Sequence, residues 1–133
     1  MNILPFKPEH VAGLRLQAMQ FGVDLSAADQ IQGPAWTGIV DDRPVVCAGF
    51  LPLWEGRAMA WALLAFDAGR HMAAIHRAAK ARMDAANYRR LEAYVDPRWA
   101  VARRWVSMLG FQREGLLKRF TPAGEDMEIY CRG

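Results

Sequence analysis

Apolar positions along this chain change their spacing several times, and each change marks an expected element. Ile3, Leu4 and Phe6 cluster before Pro8, after which Val11, Leu14, Ala18 and Phe21 recur at spacings of three and four. That pattern predicts a short strand and then a helix over 9–21. Positions 25–34 mix Ser, Asp, Gln and Gly with few large apolar groups and predict loop or a weak helical turn.

From Trp36 onward the spacing tightens to that of strands. Three apolar segments, Trp36–Val40, Val45–Leu53 and Ala58–Phe66, are separated by Asp41-Asp42-Arg43-Pro44 and Glu55-Gly56-Arg57, both turn-forming sequences. They predict an antiparallel meander. Between Gly69 and Tyr88, the residues Met72, Ile75, His76, Ala79, Met83 and Ala86 share one helical face, with Arg77, Lys80, Arg82 and Asp84 mostly opposite. A long amphipathic helix follows from that. Arg90–Val95 alternates Leu91, Ala93 and Val95 with Glu92 and Tyr94, the period of a strand. Pro97 opens a second helix carrying Val101, Ala102, Trp105, Met108 and Leu109, which Gly110 is placed to end. Gln112–Phe120 and Met127–Arg132 then read as a hairpin around Thr121-Pro122-Ala123-Gly124. The expected order is strand, helix, three strands, helix, strand, helix, two strands, in one domain over 1–133.

Composition narrows the class. At 133 residues, 53% hydrophobic and 23% charged, the chain has material for one core. Its longest unbroken apolar run, Ala58–Phe66, is about half of the ~20 residues a membrane helix needs. The start of the chain, with Pro5 and Pro8, lacks the basic and then apolar pattern of an export signal. Cys47 and Cys131 have no CxxC spacing and no nearby His, so neither zinc nor a disulfide framework is expected, and a reducing cytoplasm fits. The net charge of +3 hides an asymmetry: residues 70–119 hold 12 basic and 4 acidic side chains, and the flanks hold 5 and 10. Such a block either draws a polyanion or is a solvated helix face. No RRM-type aromatic motif, zinc spacing or helix-turn-helix accompanies it, which argues against a nucleic-acid module.

The stretch LEAYVDPRWAVARRWVSMLGFQREGLLKRF resembles the C-terminal half of the GCN5-related N-acetyltransferases (GNAT). There a strand ending in Val leads to a helix closed by Leu-Gly-Phe, here Leu109-Gly110-Phe111, and then to the last hairpin. The order of elements extends the resemblance over nearly the whole chain. It implies an α/β (α+β) fold: a mixed, mostly antiparallel sheet with helices on both faces and two splayed parallel central strands, Ala58–Phe66 and Arg90–Val95. It implies acetyl-CoA as co-substrate in the gap between those strands, with acetyl transfer to a primary amine of a small molecule or protein. The chain is also similar to short, motif-poor relatives of this fold among tailed-phage proteins. That similarity implies the alternative, a non-catalytic structural or interaction protein, in the virion if the source is a phage and otherwise in the cytoplasm.

GNAT proteins hold the pyrophosphate on backbone amides of a Gln/Arg-x-x-Gly-x-Gly/Ala loop, so the resemblance places the cofactor on Leu64, Ala65, Ala68, Gly69, Arg70, His71 and Met72. Free amides at a helix start suit an anion on physical grounds. Counting back without a gap from Leu109-Gly110-Phe111 puts Asp67 on the Gln/Arg position, Arg70 on the first Gly and Met72 on the last Gly/Ala. Only Gly69 remains as a glycine, and Met72 is expected to crowd the site. The family's helix Asn and Tyr correspond to Trp99 and Val106, and valine cannot donate a proton. As the catalytic pair the pattern selects Glu92 and Tyr94, about 7 Å apart on one strand face, a carboxylate to take the amine proton with a phenol nearby. Glu128 and Tyr130 repeat that spacing and are second choice. Glu92 and Tyr94 also read as ordinary sheet-face residues. His76, on the apolar stripe, reads as packed, and neither cysteine has a His in its neighbourhood to activate it. Trp36, Trp54, Trp61, Trp99 and Trp105 either wall a pocket for a planar acceptor or serve packing and partner contact. No metal site is expected, and self-association is left open.

Overall fold

Asp41 and Asp42 both take left-handed backbone, φ 51° and 61°, the conformation a two-residue hairpin turn requires. The chain therefore reverses tightly between β2 (Ala35–Val40) and β3 (Arg43–Trp54). Gly56, at φ 87°, turns β3 into β4 (Arg57–Leu64), completing the expected meander. The computed structural model describes residues 1–17, 20 and 31–133, and their strands form a seven-stranded sheet. β1 (Asn2–Pro5) pairs antiparallel with β2 at one edge. On the other side of β4 comes β5 (Arg90–Val95), the single parallel neighbour in the sheet. β7 (Met127–Arg132) pairs antiparallel with β5, and β6 (Gln112–Leu117) closes the far edge, giving the order β1-β2-β3-β4-β5-β7-β6.

Among the described residues three α-helices cover the sheet. α1 (Glu9–Ala12) lies over one face, where His10 Nδ1 sits 2.7 Å from the Thr37 hydroxyl of β2. α2 (Met72–Ala85) lies over the other, with the Arg82 guanidinium 5.0 Å from the centre of the Trp36 ring. α3 (Ala100–Met108) is beside it, its Trp105 Nε1 donating to His76 Nδ1 at 3.3 Å. The core between these layers is built on Val45, Val46, Ala58 and Ile75, all fully buried. Mixed sheet, helices on both faces and the parallel central pair agree with the expected fold class.

The helix expected over 9–21 is much shorter. It stops at Ala12, and Gly13 follows as its cap. The reason is competition: Leu16 forms an isolated antiparallel bridge with Ala65, so residues 15–17 run along the end of β4 instead of coiling. Ala18 and Phe21 lie outside the described residues, as does most of the 25–34 loop. The helix expected from Gly69 begins as a 3-10 turn over Ala68–His71 and becomes α-helical at Met72.

Candidate active site

β4 and β5 pair through only three registers, Arg57 with Arg90, Ala58 with Leu91 and Met59 with Glu92. Beyond Met59 they part, and a cavity of about 640 Å³ opens along their facing edges, where Ala60, Trp61 and Ala62 meet Ala93, Tyr94 and Val95. Ala79 and Met83 of α2 and Ala102 and Trp105 of α3 wall one side. Trp61 belongs to the opposite face, where its ring meets Phe6 edge-on at 5.6 Å. The cavity thus runs along the seam of the sheet.

The free edge of β4 is taken up by the chain itself. The Gln20 side chain donates from Nε2 to the Ala62 carbonyl and accepts from the Leu64 amide, both at 2.8 Å. Bonding the carbonyl before and the amide after one residue is how a parallel strand pairs, so one side-chain amide replaces a strand residue. Further along, Gln17 N donates to the Leu64 carbonyl at 3.0 Å and Phe66 N to the Arg15 carbonyl at 2.6 Å. Since the Ala62 carbonyl faces the gap, the Ala62 amide faces it too. Sequence reasoning missed Gln20: nothing in its surroundings marks a residue whose role is set by a strand 42 positions away.

Of the residues placed on the cofactor from sequence, Leu64 alone lines the cavity. Ala65 and Ala68 are fully buried, Gly69 has open space where a Cβ would stand, and Arg70 is exposed. His71 caps α2 without a side-chain hydrogen bond. The Met72 side chain is partly buried and packs against the core. The turn uses its own amides, Ala68 N to the Ala65 carbonyl at 3.0 Å and Met72 N to the Gly69 carbonyl. Asp67 stands at its head, bonded by both Arg43 nitrogens at 3.1 and 2.5 Å, and the Arg43 hydrogen bonds hold its carboxyl below the usual range.

The structure separates Glu92 from Tyr94. Glu92, 1% exposed, lies at the paired end of the strands, its carboxylate gripped by Arg57 through Nε and a terminal nitrogen at 2.5–3.1 Å, with Arg90 Nε at 3.3 Å. The Arg57 hydrogen bonds keep its acidity stronger than an ordinary glutamate's despite burial. Tyr94 stands on the cavity wall, stacked on Phe120 at 5.4 Å. Glu128 and Tyr130 do meet, the phenol donating to Oε1 at 3.0 Å, with Arg113 and Arg103 at 2.6 and 2.9 Å. Burial pushes Glu128 up, but Arg113, Tyr130 and Arg103 together outweigh it and hold the carboxyl low. Trp36, Trp61, Trp99 and Trp105 line the cavity, whereas Trp54 lies outside with Arg57 over its ring. Burial pushes the Cys47 thiol up to about 11, which keeps it neutral. Much of the basic block is paired within the fold: Arg90 with Glu114, Arg98 with Asp96 and Glu125, Arg103 and Arg113 with Glu128. Among the described residues no His, Cys, Asp and Glu cluster could hold a metal ion, and no helix is long and apolar enough to cross a membrane.

The divergent parallel pair at the centre of this sheet defines the chain as having the fold of the GCN5-related N-acetyltransferases. Three solved structures illustrate the likeness. A protein of Streptococcus mutans UA159, smu.2055, aligns with TM-score 0.76 at 19% identity, over 99% of this chain and 98% of that one. The ribosomal-protein-S18-alanine N-acetyltransferase from Escherichia coli aligns with TM-score 0.70 at 16% identity, over 98% and 91%. A GNAT family acetyltransferase from Elizabethkingia anophelis with acetyl-CoA bound aligns with TM-score 0.72 at 12% identity, over 98% and 95%. No family model and no curated protein matches the sequence.

Proposed function

We propose that this protein is an N-acyltransferase that moves an acyl group from a CoA thioester to a primary amine. The observation that carries the reading is the gap itself: two parallel strands stop pairing after three registers, and a cavity follows their edges. Acetyl-CoA bound to a protein of the same fold supports the choice of donor. In the reaction the amine nitrogen bonds to the carbonyl carbon, and the C–S bond breaks with its electron pair remaining on sulfur. The amine's proton passes to water or to the departing sulfur. The Ala62 amide, pointing into the gap, is placed to steady the oxyanion that forms in between. Tyr94, on the wall, is assigned contact with the substrates and relay of the proton. Glu92, locked by two guanidinium groups, is assigned the anchoring of β4 to β5.

A second reading, a non-catalytic protein of the same fold, draws support from the Gln20 bonds that already occupy the β4 edge. A thermal melt separates the two. A ligand at about 100 times its Kd adds about 2.7 kcal/mol, several degrees for a domain of this size. The expected result is a rise in Tm with millimolar acetyl-CoA that ATP does not reproduce. Equal shifts with both would mark generic charge binding, and no shift with either would favour the non-catalytic protein.

A further inference from the structure

We infer that the cavity binds a medium-length hydrocarbon chain, presented as the acyl group of the thioester, so that the transferred group is longer than acetyl. The thioester part rests on the acyltransferase reading; the chain rests on the cavity. Its volume of about 640 Å³ falls in the roughly 300–1,000 Å³ class that takes drug-sized ligands, which leaves room for a chain beyond the thioester. The floor on the α2 and α3 side is made by Ala48, Ala60, Ala62 and Ala93, at strand positions where Val or Ile would remove the depth. Over that floor stand Trp36, Phe50, Met83, Trp105 and Phe111.

Three polar side chains of the wall are already engaged. The Gln20 amide is bonded to β4, Trp105 Nε1 to His76, and Arg98 to both Asp96 and Glu125. Against the side chains of Ala48, Ala60, Ala93, Phe50 and Phe111 a polar group would leave water without gaining a partner, whereas each methylene gains by leaving water. That apolar side of the cavity therefore favours hydrocarbon.

Four tryptophans on the wall make binding readable as a change in their emission. Octanoyl-CoA, acetyl-CoA and uncharged octanamide are titrated in parallel into the full chain. Octanoyl-CoA is expected to bind about 30-fold more tightly than acetyl-CoA, well within the roughly fourfold per methylene that burial permits. Ala93→Leu fills the floor and should weaken octanoyl-CoA about tenfold while acetyl-CoA stays within about twofold. Ala102→Leu, at a half-exposed wall position, repeats the test if the first variant does not fold. Equal affinity for the two esters overturns the inference and leaves the acyltransferase reading standing. Octanamide binding without binding of either ester sustains the hydrocarbon site and sinks the acyltransferase reading. Failure of all three to bind overturns both.

Discussion

Gln20 does with a side chain what a neighbouring strand does with its backbone, and this makes it a residue whose loss should have two opposite effects. Gln20→Ala removes both bonds and leaves the buried Leu64 amide without its partner. The expected cost is about 1–3 kcal/mol, read as a lower Tm of the free protein. The same change bares the β4 edge, so acetyl-CoA should bind more tightly and return part of the lost Tm. A variant destabilised but no better at binding would show that Gln20 is purely structural. Glu92 makes a separate prediction. Its pKa is depressed in the fold by Arg57, so the native state holds fewer protons than the unfolded chain near the ordinary glutamate value of about 4.3. Stability from Glu92 is therefore fully present above that pH and is lost as pH falls through the folded pKa. Glu92→Gln should lower Tm at pH 7 and flatten the acid limb of a Tm-against-pH curve. An unchanged limb would place the acid sensitivity elsewhere, with Glu128 the next residue to test.

The Leu109-Gly110-Phe111 stretch, on which the sequence resemblance rests, is a local necessity. Gly110, at φ 97°, follows the end of α3; its amide bonds the Ser107 carbonyl at 3.1 Å and the Phe111 amide bonds the Val106 carbonyl at 3.0 Å. That pair of bonds is a Schellman cap, and it swings Phe111 back beside Val106 on the cavity wall. Gly110→Ala forces a Cβ into left-handed backbone and should cost about 1–2 kcal/mol. A melting curve matching the wild type would mean the cap relaxes without strain. Elements of this kind were legible in the sequence because their cause is local: turn residues at Asp41-Asp42 and Gly56, the alternation of β5, the stop at Gly110. The end of α1 was not, since long-range pairing of Leu16 with Ala65 overrides a helical spacing. The site divides the same way. Alternation put Glu92 and Tyr94 on one face, but the point where β4 leaves β5 falls between them, and no pattern in either strand marks it. Met72, read as an obstruction from its place in an ungapped count, packs against the core, and counting along the chain does not give the direction of a side chain.

At the scale of the molecule, the seam puts the sheet in two leaves. β1 to β4 form one and β5, β7 and β6 the other, each laced by long antiparallel ladders. Between them run three registers of backbone pairing, reinforced at the same end by the Arg57 to Glu92 ion pair and spanned by α2. Such a construction behaves as a book bound at one end of its spine. Opening at the free end breaks few hydrogen bonds, so it belongs to the low-energy part of the protein's fluctuations. The Ala62 amide, on the opening side, should exchange its hydrogen far faster than the Ala48 amide inside the first leaf. A molecule lying along the seam would act as a second binding, slowing exchange there more than anywhere else in the sheet. Uniform slowing across both leaves would mean instead that the leaves never part. The cavity then has a mechanical corollary: the protein's affinity for whatever fills it is also the measure of how firmly its two halves are held shut.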